Sequence, residues 1–328
     1  MEKIFSSYLK NFIFLRNEKL QYDYIKLLNE NDIVKNSNIY FVTKIKKIRF
    51  DKNPSIGLNF NLKGKLLVGN SKISFNYQLI NLYFSFPTLN QYFNSKYDLI
   101  NYFYGSNTKI DFLNKLYMRY KFYKDFKINR NLSDSDGKNI YINSGLTKRI
   151  TNESDELVIF SENLLGLLDL NNSINNLDFK GELIYIGKSK EITKRTSKHD
   201  KFSKFYSNLK DDEELLFYFL EFDDSNLSIN NYKALDFKVI SNFEIDEISK
   251  SNRISLIEAS LINYFKPILN CQEKNKDLTK SSKVKEYLLK NDFTSIHIEI
   301  ITEGLFAKFG NDLVVHSNEH NIKYNINS

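Results

Sequence analysis

One stretch limits the possible folds more than any other: Leu183 to His199, which reads LIYIGKSKEITKRTSKH. Four apolar residues, Leu183 to Ile186, make a strand that stops at Gly187. Ser189 suits the start of a helix, because its hydroxyl can take a free amide of the first turn. The spacing predicts a helix from about Lys190 to Tyr206, with Ile192, Arg195, His199, Phe202 and Tyr206 on one stripe at steps of three and four. Such a stripe faces protein, and a buried guanidinium is costly unless it is paired. Arg195 and His199 therefore either serve chemistry or sit on a helix tilted so that both reach water at a domain edge.

The rest of the chain divides by pattern and charge. Residues 1–35 place Ile4, Tyr8 and Phe12, then Tyr22, Ile25 and Leu28, at helical spacing. Residues 38–87 read as strands, with Gly64 and Gly69-Asn70 as turns and Pro87 as the stop; Lys44, Lys46 and Lys47 alternate with Ile45, Ile48 and Phe50, which predicts a small antiparallel sheet with one basic face. Residues 88–128 return to helix. The densest basic run follows within and after it: Lys115, Arg119, Lys121, Lys124, Lys127 and Arg130, interleaved with Tyr117, Tyr120, Phe122, Tyr123 and Phe126. The cations can neutralise phosphates and the rings can stack on bases; equally, the rings are core and the lysines are one helix's wet face. Asn131 to Gly145 is polar and turn-rich and is the best boundary. Beyond it come a strand at Glu156 to Phe160, a buried strand at Leu215 to Phe222, a short strand at Phe237 to Ile240, and an amphipathic helix at Ser251 to Phe265 ended by Pro267. The end of the chain reads as a short helix (Val284 to Leu289) and two strands, Ser295 to Thr302 and Leu305 to Val315. His316 and His320 look like surface residues.

Residues 1–150 hold 25 Lys+Arg against 11 Asp+Glu, whereas residues 151–328 hold 22 against 29. A basic front half suggests a polyanionic partner. One cysteine, Cys271, excludes an intrachain disulfide framework, and one Cys with four scattered His gives no zinc-site spacing. No apolar run is long enough to span a bilayer and no signal-peptide pattern opens the chain, so a cytoplasmic location is expected.

Tyr185-Ile186-Gly187, Ser189, Arg195 and His199, followed by Glu258 on a later helix and then Pro267-Ile268-Leu269-Asn270, together resemble the GIY-YIG nuclease superfamily. The resemblance covers about residues 156–270. Its first motif, Gly-Ile-Tyr on the preceding strand, has no match there; the best candidate, Val158-Ile159-Phe160, lacks both the Gly and the Tyr hydroxyl. The resemblance implies an α+β fold in which a small central antiparallel sheet is flanked by helices. It also implies a Mg²⁺- or Mn²⁺-dependent endonuclease that hydrolyses DNA with activated water. Glu258 shares a stripe with Ile254, Leu261 and Phe265, and binding a cation would relieve its burial. One carboxylate with waters and a substrate phosphate is an ordinary Mg²⁺ arrangement. Arg195 would engage phosphate oxygens, His199 would position or relay a proton, Tyr185 would draw a proton from water, and Asn270 would fix the site. Gly187, Lys188 and Ser189 would support it.

The organisation this implies is a basic binding or targeting domain at 1–150, a GIY-YIG-like nuclease domain at 151–275, and a helix/strand extension at 276–328 packed on it. Double-stranded DNA is the expected partner, in restriction or defence. A catalytically weakened DNA-binding protein and an RNA-directed nuclease are the competing expectations.

Overall fold

The computed structural model describes residues 2–16, 31–52, 54–57, 61–78, 126–129, 137–144, 155–170, 179–188, 202–207, 209–232, 237–242, 249–270, 286 and 288–326. In chain order the elements are β1 (Glu2–Arg16), α1 (Asp32–Asn36), β2 (Ile39–Lys46), β3 (Ile48–Phe50), β4 (Ser55–Ile56), β5 (Asn61–Val68), β6 (Ser71–Gln78), β7 (Phe126–Ile128), β8 (Asn139–Ser144) and β9 (Asp155–Phe160). There follow α2 (Ser161–Leu170), β10 (Gly181–Lys188), α3 (Phe202–Ser207), β11 (Glu213–Tyr232), β12 (Phe237–Asn242), α4 (Lys250–Phe265), β13 (Phe293–Ile301), a 3-10 turn (Leu305–Ala307), β14 (Phe309–Gly310) and β15 (Glu319–Asn325). The protein is a mixed α+β structure dominated by sheet. No described helix is long and apolar enough to cross a membrane.

Contacts divide the chain into two compact units, residues 1–46 with 178–328, and residues 47–177. The first unit is built on an eight-stranded sheet in the order β14-β10-β2-β11-β1-β13-β15, with β12 also on β11. The β1–β13 and β10–β14 pairs are parallel and the others antiparallel. A boundary near residue 150 is therefore not where the described contacts break: β1 and β2 are strands of the same sheet as β10 and β11. Residues 276–328 fall in the first unit, where β13 pairs directly with β1.

β1 overturns the helical reading of the first residues. Ile4, Tyr8 and Phe12 recur every four positions, and a step of four fits a period of two as well as one of 3.6. Tertiary pairing decides, because β1 has β11 on one side and β13 on the other. The apolar run of β11 is likewise explained by its place. Leu215 to Leu220 pairs with β2 on one edge, Leu216 to Leu220 with β1 on the other, and side chains on both faces are buried, so no position needs to alternate to polar. On one face Leu215, Phe217 and Phe219 join Tyr40, Val42, Ile184, Tyr185, Phe205 and Val34 of α1 in one apolar cluster. On the other, Phe41 meets Phe265 of α4 and Phe309, and Tyr218 meets Phe14 and Phe309 while its hydroxyl donates to the Phe306 carbonyl at 2.6 Å. Each such ring removed from water contributes roughly 1.5–3 kcal/mol.

The chain's end also differs from its pattern. Within Leu305 to Val315 only Phe309–Gly310 is strand, paired with β10, and β13 pairs instead with β15. His320 is buried at 4% exposure, not a surface residue. Its Nε2 lies 3.0 Å from the Phe309 carbonyl and 3.2 Å from that of Ser317, and its Nδ1 lies 3.2 Å from the Tyr264 hydroxyl. Two carbonyls can only accept, so Nε2 carries the proton and Nδ1 accepts from the phenol.

The second unit contains two small sheets. β5 pairs with β3, β4 and β6, and β8 joins β7 to β9. α2 follows β9, burying Leu164, Leu165 and Leu168; the Ser161 hydroxyl at its start donates to the Ile48 carbonyl at 2.6 Å. Lys127 is exposed at the centre of β7, so residues 126–128, expected to close a helix, are strand; residues 88–125 lie outside the described residues. Lys115, Arg119, Lys121, Lys124 and Arg130 lie outside the described residues.

Candidate active site

The site is organised by β10 and the strand beside it, β2. Their antiparallel register sets Tyr40 opposite Gly187, Phe41 opposite Ile186 and Val42 opposite Tyr185. A register shift between Leu183 and Tyr185 inserts Ile184 as an extra residue, and its carbonyl accepts the Leu269 amide at 3.0 Å. Bulges of this kind re-aim the side chains that follow them. After it, Tyr185 and Gly187 share the side of Tyr40, and Ile186 and Lys188 share the side of Phe41.

On the first side the Tyr40 and Tyr185 rings lie 5.9 Å apart, and Tyr185 meets Phe205 of α3 at 5.3 Å. Tyr40 is 1% exposed and Tyr185 7%. Gly187 is needed for this packing: a Cβ there would come within 2.6 Å of the Tyr40 ring carbon and hydroxyl. The glycine thus has a steric role as well as ending the apolar run.

On the second side Lys188 Nζ lies 2.9 Å from Glu258 Oε2 and donates to Ser255 Oγ at 2.8 Å. Both partners are on α4. Ser249 caps that helix, accepting from the Asn252 amide, and Lys266 ends it in the left-handed conformation at φ 48°, just before Pro267. The Glu258 side chain is 14% exposed, at the edge of the buried stripe rather than its centre. The chain then turns through Pro267 and Ile268 to Asn270, which lies along β10. Asn270 Oδ1 accepts the Ile186 amide at 2.9 Å and Nδ2 donates to the Ile186 carbonyl at 2.8 Å. β14 pairs only with Gly181 and Glu182 of β10, so the buried Asn270 amide takes the place of a strand partner for Ile186. This gives the Pro-x-x-Asn spacing a physical role: it satisfies a buried strand edge.

Of the expected site residues, the structure brings together Lys188 with Glu258 and sets Asn270 against Ile186, but it puts Tyr185 on the other side of β10 from Lys188 and Glu258. Arg195, His199 and Ser189 lie outside the described residues. Val158-Ile159-Phe160 is on β9, paired with β8 in the second unit, and is not the strand next to β10. That neighbour is β2, and sequence reasoning did not foresee that its Tyr40 stands opposite Gly187. The signal was present as Asn38-Ile39-Tyr40 at the head of a β-rich run. Tyr40 lies 147 positions before Gly187, too far for local spacing to connect the two.

Among the described residues no three His, Cys, Asp or Glu side chains gather as a ligand cage. Glu258 supplies a hard carboxylate, and the chemistry of this donor suits Mg²⁺ or Mn²⁺ held mostly by water and phosphate oxygens. Its present partner is the Lys188 ammonium, so a cation and Lys188 compete for one group. The chain matches no known protein family, no curated protein and no solved structure.

Proposed function

We propose that the first unit is a GIY-YIG-like, divalent-metal-dependent endonuclease that hydrolyses phosphodiester bonds of double-stranded DNA. The observation that carries this is the antiparallel pairing of β2 with β10, which sets Tyr40, the last residue of Asn38-Ile39-Tyr40, opposite Gly187 of Tyr185-Ile186-Gly187. Tyr40, from a distant part of the chain, would then stand for the first-motif tyrosine that residues 156–160 lack. In this reading residues 47–177 are an insertion between the two motif strands.

Hydrolysis needs an attacking water, neutralisation of charge on the phosphoryl oxygens and help for the leaving oxygen. Glu258 would hold the cation, which when bound would supply charge neutralisation and a more acidic water. Lys188, released from Glu258, is long enough to place its ammonium on a phosphate oxygen. Tyr40 and Tyr185 pack beside Gly187 on the side of β10 away from Glu258, with the Tyr40 ring filling the space the glycine leaves, and so back the strand that presents Lys188. Asn270 holds Ile186 and so fixes the strand that presents Tyr185, Gly187 and Lys188. Arg195 and His199 would complete the phosphate contact and the proton relay.

The test is nicking of supercoiled plasmid in Mg²⁺ by wild type, Glu258→Ala and Tyr40→Phe, with circular dichroism to confirm folding. Wild type should nick, Glu258→Ala should lose at least about tenfold in rate, in line with the loss of a positioned ligand, and Tyr40→Phe, whose hydroxyl is buried on the other side of the sheet, should nick as wild type does. Equal nicking by Glu258→Ala, or undiminished nicking in chelator, sinks the metal assignment. Binding without nicking by folded wild type favours a DNA-binding protein in which the Lys188–Glu258 pair stays closed.

A further inference from the structure

The basic face expected from the sequence exists, but not at the lysines that suggested it. Lys44 and Lys46 are on β2 in the first unit, and their charges are met by acid. Lys44 lies 2.7 Å from Glu182, and Lys46 lies 2.7 Å from Asp212 and 3.4 Å from Glu213. Residues 47–177, by contrast, hold 17 Lys+Arg against 11 Asp+Glu, or +6 of the chain's formal +7. Within that unit the β3–β5–β4 sheet with β6 sorts its side chains by side. Leu62, Leu66, Phe75 and Tyr77 point inward and are buried. Gly64 sits among them, where a Cβ would meet the Phe75 ring at 2.9 Å. The other side carries Lys63, Lys65, Lys72, Ser74, Asn76 and Gln78, all exposed. Among the described residues one carboxylate borders it: Asp51, 3.6 Å from Lys72.

We propose that this outward face is a docking surface for the phosphate backbone of double-stranded DNA. The inference rests on the nuclease reading for its choice of DNA and adds to it where the duplex is held. Three lysines with interspersed amide and hydroxyl groups offer charge neutralisation and hydrogen bonds to phosphate and sugar, the contacts that position a duplex without reading its sequence. The described outward residues include no aromatic ring, because Phe75 and Tyr77 are spent on the inner side. Binding of single strands depends largely on stacked rings, so the face suits a duplex. It has its own surface, chain segment and charge, all distinct from the β10 site.

The experiment measures binding of full-length protein to a fluorescent 30-base-pair DNA duplex by anisotropy across a salt series, without metal. Lys63→Gln/Lys65→Gln/Lys72→Gln should weaken binding at least about tenfold and lower the salt slope by about one per lysine. The control Lys35→Gln/Lys266→Gln/Lys308→Gln removes the same charge from the first unit and should leave the slope near wild type. All six positions are exposed, and circular dichroism verifies folding. The proposal is overturned if the face variant binds as wild type does, if the control weakens binding equally, or if wild type shows no salt-dependent binding. Tighter binding of a single-stranded 30-mer or an RNA duplex overturns the partner. Plasmid nicking in Mg²⁺ is read separately. Wild type that binds through this face but never nicks removes the nuclease reading alone, and an unaltered face variant beside active nicking removes the face alone.

Discussion

Asn270→Ala separates a structural asparagine from one that only touches substrate. Asn270 is 5% exposed and makes two hydrogen bonds to one residue, accepting from the Ile186 amide and donating to its carbonyl. Alanine removes both and leaves a buried donor and acceptor on β10 with no replacement strand, since β14 stops at Glu182. An orphaned buried group costs roughly 1–3 kcal/mol, so the variant should lose about 2–4 kcal/mol, allowing for partial relaxation. For a unit of slightly under 200 residues, each kcal/mol shifts Tm by about 2–4 °C, and the melting temperature should fall by roughly 5–15 °C. Hydrogen exchange at the Ile186 amide should accelerate more than exchange in β13, which lies away from the change. Asn270→Asp keeps the acceptor for the amide but sets an anionic oxygen against the Ile186 carbonyl, and should be at least as damaging at neutral pH. An Asn270→Ala protein with unchanged melting and unchanged Ile186 exchange would refute this account of the Pro-x-x-Asn turn.

Three further outcomes follow from the same geometry. Gly187→Ala drives a methyl into the buried Tyr40 ring and should cost about 1–3 kcal/mol; adding Tyr40→Leu should remove that penalty, so that urea midpoints show the double variant no less stable than Tyr40→Leu alone. Lys188→Met removes one cation from the Glu258 carboxylate and should tighten Mn²⁺ binding measured by calorimetry at least severalfold, while Glu258→Gln in that background should abolish it; weaker binding by the single variant would refute the competition. Burial pushes the His320 pKa below its ordinary value of 6.5, against the opposing carbonyls of Phe309 and Ser317, with His316 adding a smaller push in the same direction. The unfolded chain then binds this proton more readily, so its contribution is complete above about pH 6.5 and is lost as pH falls toward the folded pKa. Melting temperatures at pH 7.5 and pH 5 should differ less for His320→Gln than for wild type.

Local pattern was enough for several elements. The apolar run ending at Gly187 became β10, Leu215 to Phe222 lies within β11, and Ser251 to Phe265 became α4 with its stop at Pro267. The Gly69-Asn70 turn joins β5 to β6 as its composition implies. These succeed because short-range sterics, capping and burial period act within a few residues. Elsewhere, pairing across the chain made the decision. A step of four at Ile4, Tyr8 and Phe12 fits helix and strand alike, and only the strands on either side made β1 extended. Lys44 and Lys46 looked like a basic surface until β2 was set between Glu182 on β10 and Glu213 on β11. Tyr40 and Gly187 are far apart in sequence, and no local property of either predicts that one ring will fill the space the other leaves. Such complementarity exists only after the sheet has formed, because side-chain contact across strands is set by register. Local composition sets which segments are apolar and where they turn; pairing across the chain sets which strands lie side by side, and with it which tyrosine stands against Gly187.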